Sequence, residues 1–367
     1  MILFYKRKDA KAQRKNRQSL RLCVFAFILI LISCHSKSLP TIPHLGFYHW
    51  QTNLKISPKE QQYLDNLPVK KLYIKFFDID WNFNQQTALP HASLLVNAQI
   101  PDTIEIVPTL FITNRTFQQI QEKGIDQLAN NVHQKLIEQL EKFPSHSITM
   151  IQLDCDWSLS TKDKYFYFLD RLKEKWSDPI TLSATIRLHQ IKYFEKTGLP
   201  PVQRGLLMFY NMGEVKEYDT KNSILDLDIA KKYINRLADY PLPLDLGLPL
   251  FQWGVLFRED KMIQLINQLT IADLDDTTRF ESIDPLRWKV NKSTYLNGLY
   301  LYKGDIIRVE KVTQKDLEAA TQLLRPFFQG KEFDLVFYHL AEEVLIDFSK
   351  KEILELMQAM ECDPNLR

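Results

Sequence analysis

The stretch Ser147–Trp157, SITMIQLDCDW, decides the fold. Side chains alternate along a strand, so Gln152, Asp154 and Asp156 share one face while Ile151, Leu153 and Cys155 share the other. The apolar face belongs against helices, which leaves the polar face pointing into a barrel near its mouth. Two inward acids are costly unless they are hydrogen-bonded or functional. As neighbours they push one another's pKa apart, as a general acid/base pair requires. The structural alternative is that Arg187, Tyr210 and backbone donors hold both aspartates.

Seven further runs of this kind accompany it: Leu45–Trp50, Lys71–Asp80, Thr103–Asn114, Thr181–Arg187, Gly205–Asn211, Leu244–Gln252 and Phe333–His339. Helical spacing lies between and after them, at Pro58–Leu67, Phe117–Phe143, Lys162–Trp176, Ile191–Lys196, Asp228–Ala238, Gln314–Phe328 and Lys350–Met360. Eight strands alternating with helices predict a (β/α)8 TIM barrel over residues 44–367. Between the seventh and eighth strands the chain inserts extra structure at about 253–313. Within it, Tyr295–Val309 reads as a hairpin turning at Lys303-Gly304-Asp305, and helices accompany it.

The C-terminal ends of barrel strands build sites, whereas the opposite face serves stability. Those ends here collect Trp50, Asp78, Asp80, Asp154, Asp156, Trp157, Arg187, Tyr210, Asn211, Gln252, Trp253 and His339. Carboxylates, amides and several tryptophans together suit sugar recognition, with aromatic faces for C–H surfaces and polar groups for hydroxyls. Asp154, Asp156 and Tyr210 are the candidate catalytic set; the others are candidate glycan contacts. Lower in the barrel, Lys75 and Glu105 are expected to form an ion pair.

The composition is ordinary for a globular chain: 367 residues, 45% apolar, 25% charged, net charge +2. That excludes collagen-like, low-complexity and mainly disordered chains, and four Cys in this length are no disulfide scaffold. Cys155 and Cys362 either pair in an oxidising compartment or Cys155 is simply buried. The charge is unevenly spread. Residues 1–21 hold eight basic side chains against one acid, +7, which leaves −5 for the remainder.

Leu22–Ile32 then gives eleven apolar residues in a row. As a helix this spans about 16 Å, too short for a bilayer core of about 30 Å. A basic stretch followed by a short apolar one is the layout of a secretory signal. It ends in Leu31-Ile32-Ser33-Cys34, which resembles the lipobox of bacterial lipoproteins. The resemblance implies a signal peptide over 1–33, lipidation of Cys34 and anchoring in a lipid bilayer by its acyl chains. Residues 34–43 then form a tether, and His35 in the second mature position implies the outer membrane of the cell envelope.

Asp154-Cys155-Asp156, with Met208-Phe209-Tyr210-Asn211 two strands on, resembles the family-18 glycoside hydrolases. Their fourth strand carries D-G-x-D-x-D-x-E and their sixth M-x-Y-D/N. In that family the Glu is the general acid, the preceding Asp orients the substrate's acetamido group, and the Tyr supports that group. Carried over by position, Asp154 and Asp156 match the two later Asp, and Met208, Tyr210 and Asn211 match the sixth strand. The Glu position falls on Ser158, and the leading D-G on Ile151 and Gln152. Serine cannot protonate a glycosidic oxygen near neutral pH. If hydrolysis occurs, a partner acid must come from across the mouth, from Asp78, Asp80 or Glu214.

The chain also resembles a family of bacterial TIM-barrel lipoproteins of unknown function. Phe47-Tyr48-His49-Trp50, Phe76-Phe77-Asp78-Ile79-Asp80 and Leu182-Ser183-Ala184-Thr185 carry that resemblance. Two functions follow as expectations: a glycoside hydrolase-like enzyme, or a glycan-binding or scaffold lipoprotein that has lost its acid. No nucleotide, α/β-hydrolase or zincin motif occurs, and the histidines lack ligand spacing, so neither cofactor nor metal is expected. Basic residues outside the signal alternate with acids, as in Lys173-Glu174-Lys175, which does not suit nucleic acid.

Overall fold

The computed structural model describes residues 43–177 and 179–361. Eight parallel strands close on themselves: β1 (His44–His49), β2 (Val69–Asn82), β3 (Glu105–Ile112), β4 (Met150–Asp154), β5 (Thr181–Arg187), β6 (Arg204–Met208), β7 (Leu244–Pro249) and β8 (Asp334–Tyr338). Each pairs with its sequence neighbour, and β1 pairs with both β2 and β8, which completes the (β/α)8 barrel. The signal segment, Cys34, the tether up to residue 42 and Cys362 lie outside the described residues. Cys155 is a buried free thiol.

The helices begin where the sequence supplies caps. Ser57 accepts from the Glu60 amide while the Glu60 side chain takes the Ser57 amide, with Pro58 in the first turn. Thr313 with Asp316 and Ser349 with Glu352 repeat the device at Gln314–Phe328 and Lys350–Ala359. The expected helix over Phe117–Phe143 is two, Asn114–Gln119 and Ile125–Leu140, because a 3-10 turn over Glu122–Gly124 separates them.

The barrel interior is layered. At the floor, Asp334 accepts from the Tyr73 hydroxyl at 2.9 Å and from Lys71 Nζ at 2.8 Å. Asp245 beside it is ion-paired with Arg204 and accepts the Asp334 amide at 2.8 Å. Above lies a layer in which Thr109, Gln152 and Ser183 sit in register on adjacent strands, and the Tyr48 hydroxyl donates to Gln152 Oε1. Gly247 on β7 lets its neighbours pack close: a Cβ there would stand 2.8 Å from Leu206 Cδ2 and 3.4 Å from the Tyr210 ring.

Two local expectations are corrected. Lys75 does not meet Glu105; it pairs with Asp78 at 3.1 Å, while Glu105 lies 3.9 Å from Lys71. The cause is register: β2 and β3 pair Lys71 with Glu105 and Lys75 with Thr109, four residues further on, and a bulge follows at Phe76, where Phe77 pairs with Leu110. Strict alternation from Lys75 sets Asp78 on the opposite face, and the bulge brings the two side chains together. The insertion also differs in detail. Gln252–Arg258, Lys261–Asn267, Phe280–Asp284, Arg287–Val290 and Ile306–Lys311 form a five-stranded antiparallel sheet with its own small core. The hairpin in it pairs Thr294–Leu296 with Leu299–Leu301 and turns at Asn297-Gly298. Both turn residues have positive φ, 49° and 78°, as a two-residue loop demands, so Asn-Gly outcompetes Lys303-Gly304-Asp305 as the turn.

Candidate functional site

A cavity of about 360 Å³ opens at the C-terminal ends of the strands, a size at the lower end for small-molecule sites. Eight of the sequence-derived candidates line it: Trp50, Asp154, Arg187, Tyr210, Asn211, Gln252, Trp253 and His339. One wall is aromatic. Trp50 and Tyr338 approach to 5.6 Å, Tyr338 and Tyr210 to 5.5 Å, and Phe251 and Trp253 to 5.2 Å between ring centroids. The remaining lining is rich in amides, with Gln51, Asn211, Gln252, Asn267 and Gln268. Asn211 has a positive φ of 54°, which Asn tolerates, and its Oδ1 has no protein partner.

Asp154, at the end of β4, is 7% exposed and accepts from Thr185 Oγ1 at 2.7 Å. Burial, reinforced by the neighbouring Asp156 charge, pushes its carboxyl up to about 6. Asp156 has a different fate. The strand ends at Asp154, so alternation no longer holds two residues on. Asp156 emerges half exposed and takes a two-pronged ion pair from Arg187, through Nε and through Nη2 at 2.7 Å. Tyr210 is bonded to neither aspartate; Arg187 and Thr185 divide that task. His339 and His49 are both held neutral by burial, which lowers each to about 4.

The other candidates stand outside the cavity lining. Asp78 is ion-paired with Lys75. Asp80 is bonded by Arg115, Thr113 and the Trp81 amide; burial opposes its ionisation, but these donors outweigh it and hold it at about 2. Trp157 is buried, stacked on Tyr165 at 5.4 Å, with its indole N–H donated to the Thr197 carbonyl at 2.9 Å. Ser158, at the family's acid position, shares its hydroxyl with Ser160 and Thr161 at 3.0 and 3.1 Å. Glu214 is exposed on the loop after β6.

Sequence reasoning missed Tyr48, Gln51, Phe111, Thr185, Phe251, Tyr338, Asn267 and Gln268 as lining residues. Period-two counting finds three of them, since Tyr48 shares a face with Trp50, Phe111 with Thr109, and Tyr338 with Val336 and the inward Asp334. Asn267 and Gln268 come from the insertion, whose position after the seventh strand sets it beside the barrel mouth without showing which of its residues reach the cavity. The insertion also aims Trp253: its indole N–H donates to Glu310 Oε2 at 3.0 Å. Among the described residues no group of three or more His, Cys, Asp or Glu is placed to hold a metal ion, and no helix is long and apolar enough to cross a membrane.

A second cavity, of about 340 Å³, lies at the start of β7. It is lined mainly by apolar residues such as Leu237, Leu242 and Phe327 and lacks the convergent polar groups of the first.

No protein-family model matches the sequence, and no curated protein matches it. Among solved structures the chain is similar to the spore cortex-lytic enzyme SleL of Bacillus cereus, with a TM-score of 0.53 at 12% identity over 88% of this chain and 75% of that one. SleL of Bacillus megaterium QM B1551 gives 0.49 at 13% identity over 88% and 75%. A chitinase from Chromobacterium violaceum ATCC 12472 gives 0.49 at 10% identity over 85% and 99%. At this identity the Bacillus cereus likeness is one of fold, and it agrees with the closed ring of eight parallel strands: the chain is a (β/α)8 barrel.

Proposed function

We propose that this chain is a lipid-anchored envelope protein whose barrel mouth binds a glycan without cleaving it. The observation that carries the reading is the cavity's composition: the touching aromatic rings of Trp50, Tyr338, Phe251 and Trp253 together with five amide side chains. Such a lining stacks on sugar C–H faces and meets hydroxyls with paired donors and acceptors. The match of Asp154, Met208, Tyr210 and Asn211 to the family-18 pattern supports the same ligand class, as does the fold likeness to a cortex-lytic enzyme.

Cleavage fits less well. A two-carboxylate mechanism needs acids flanking the scissile bond, and Asp154 is the one carboxylate in the cavity lining. Asp156 is committed to Arg187, and Ser158 replaces the family's acid. One observation favours hydrolysis: Asp154, raised to about 6, still carries a proton at mildly acidic pH.

A glycan library screened with the full chain, reading binding and product release together, separates the two. The expected result is binding without product, weakened about tenfold or more by Trp50→Ala. Product release abolished by Asp154→Asn, with binding retained, would establish the hydrolase instead.

Anchoring rests on Leu31-Ile32-Ser33-Cys34. Two or more acyl chains, each adding about 0.8 kcal/mol per buried CH₂, make a stable anchor. Cells fed a labelled fatty acid should incorporate it into the wild-type chain and not into Cys34→Ala, and the wild type should fractionate with the outer membrane. Equal labelling of both would refute the assignment.

A further inference from the structure

The hairpin of the insertion has two unlike faces. Leu296 and Leu301 enter the insertion's small core, whereas Tyr295 and Tyr300, directly opposite each other, face solvent. Tyr302 continues the row. The three rings are 69%, 40% and 51% exposed, and successive centroids lie 5.0 Å apart. The row is held in place from behind. Arg258 lies 4.3 Å from the Tyr302 ring and is fixed by the buried Asp305 at 2.8 and 2.9 Å. Asp305 also accepts the Tyr302 amide at 2.8 Å.

The hairpin's own stretch of chain is one-sided in charge, while the exposed Glu259 lies on the Arg258 side of the row. Residues 285–304 contain no acid and four basic side chains, in a chain whose charge beyond residue 21 is −5. Arg287 is paired with Asp284, while Lys289, Lys292 and Lys303 are exposed and in no ion pair among the described residues. The Lys303 amide donates to Ser293 Oγ at 2.9 Å, which brings the Lys303 backbone to the residue that follows Lys292.

We propose that this face of Tyr295, Tyr300, Tyr302, Lys292 and Lys303 is a second glycan-binding surface, for a polysaccharide that carries acid groups. Exposed phenol rings give sugar rings a flat partner with a polar edge, and free ammonium groups alongside complement carboxylates or phosphates. Ordering of the row before binding lowers the entropic cost of holding a flexible polymer. A bilayer suits the face less well, since interfacial insertion draws on exposed Trp, Phe or Leu, and the hairpin's leucines are turned inward. The choice of a glycan rests on the reading of the barrel cavity; the positive charge and the ring geometry do not.

Affinity electrophoresis of the full chain through gels containing polygalacturonate, or neutral dextran, tests the proposal. Retardation is expected in polygalacturonate alone, and it should fall as salt rises. The triple variant Tyr295→Ala, Tyr300→Ala, Tyr302→Ala should weaken it about tenfold or more, and Lys292→Gln with Lys303→Gln should weaken it too. Tyr295→Ser alone changes the most exposed ring, so a partial loss with an unchanged circular dichroism spectrum excludes misfolding as the cause. No retardation, equal retardation in dextran, or indifference to the tyrosine changes would overturn the proposal. So would tyrosine-dependent binding to phosphatidylglycerol vesicles in place of the polymer. Trp50→Ala should leave the polygalacturonate result unchanged, so the surface and the cavity can fail independently.

Discussion

Glu310→Ala should destabilise the protein by about 3–5 kcal/mol, the usual cost of removing one partner of a buried ion pair. Arg308 and Glu310 are 0% and 1% exposed and two residues apart on the last strand of the inserted sheet. Glu310 Oε1 takes Arg308 Nε at 2.7 Å. Its Oε2 takes the Ser223 amide at 2.8 Å, the Ser223 hydroxyl at 2.6 Å and the Trp253 indole at 3.0 Å. The other guanidinium donors reach the carbonyls of Val215, Glu217 and Tyr218, on the loop after β6. Alanine therefore leaves a buried cation uncompensated and strands three further donors.

The denaturation midpoint, with the slope checked for constancy, reads this effect. Arg308→Met with Glu310→Leu should cost less than Glu310→Ala alone, because the paired replacement leaves no lone charge. A Glu310→Ala variant within about 1 kcal/mol of wild type would remove the network from the account of the fold. Binding should weaken in parallel, since Trp253 loses the acceptor that orients it over the cavity.

The barrel was legible because each strand announces itself locally: LGFYHW, KLYIKFFDID and SITMIQLDCDW each combine β-branched or aromatic residues with a polar exit. The inward direction of Asp154 follows from the same periodicity. The misplacements come from breaks in the period and from the register between strands. Asp156 lies beyond the end of β4; in β2 the register sets Lys75 beside Thr109 rather than Glu105, and the bulge after it brings Asp78 to Lys75. A bulge is one extra residue without a compositional signature, so no count along the chain locates it. Trp157 shows a second limit. An aromatic residue at a strand end serves a ligand or the helix layer equally well, and here Tyr165 and Thr197 claim it. The insertion's share of the cavity, Asn267 and Gln268, depends on long-range packing of a second sheet.

Asp154→Asn should stabilise the protein by roughly 3 kcal/mol above pH 7 and by almost nothing near pH 3.5, on the linkage between a two-unit pKa shift and stability. The carboxyl's ordinary pKa is 3.8, and burial, with Asp156 beside it, raises it to about 6 in the fold. Between those values the folded chain binds more proton than the unfolded one, so stability falls as pH rises across this window and stays lower above it. Asparagine is neutral throughout and can still accept from Thr185 Oγ1, so it removes the penalty and keeps the bond. Urea midpoints of the two chains from pH 3.5 to 8 should therefore diverge as pH rises. A gain independent of pH, or a loss at pH 8, would show that Asp154 is not an uncompensated acid. If the stabilised variant also binds the glycan less well, the cavity holds a carboxyl that the fold alone would replace, which is the trade between stability and function expected at a site.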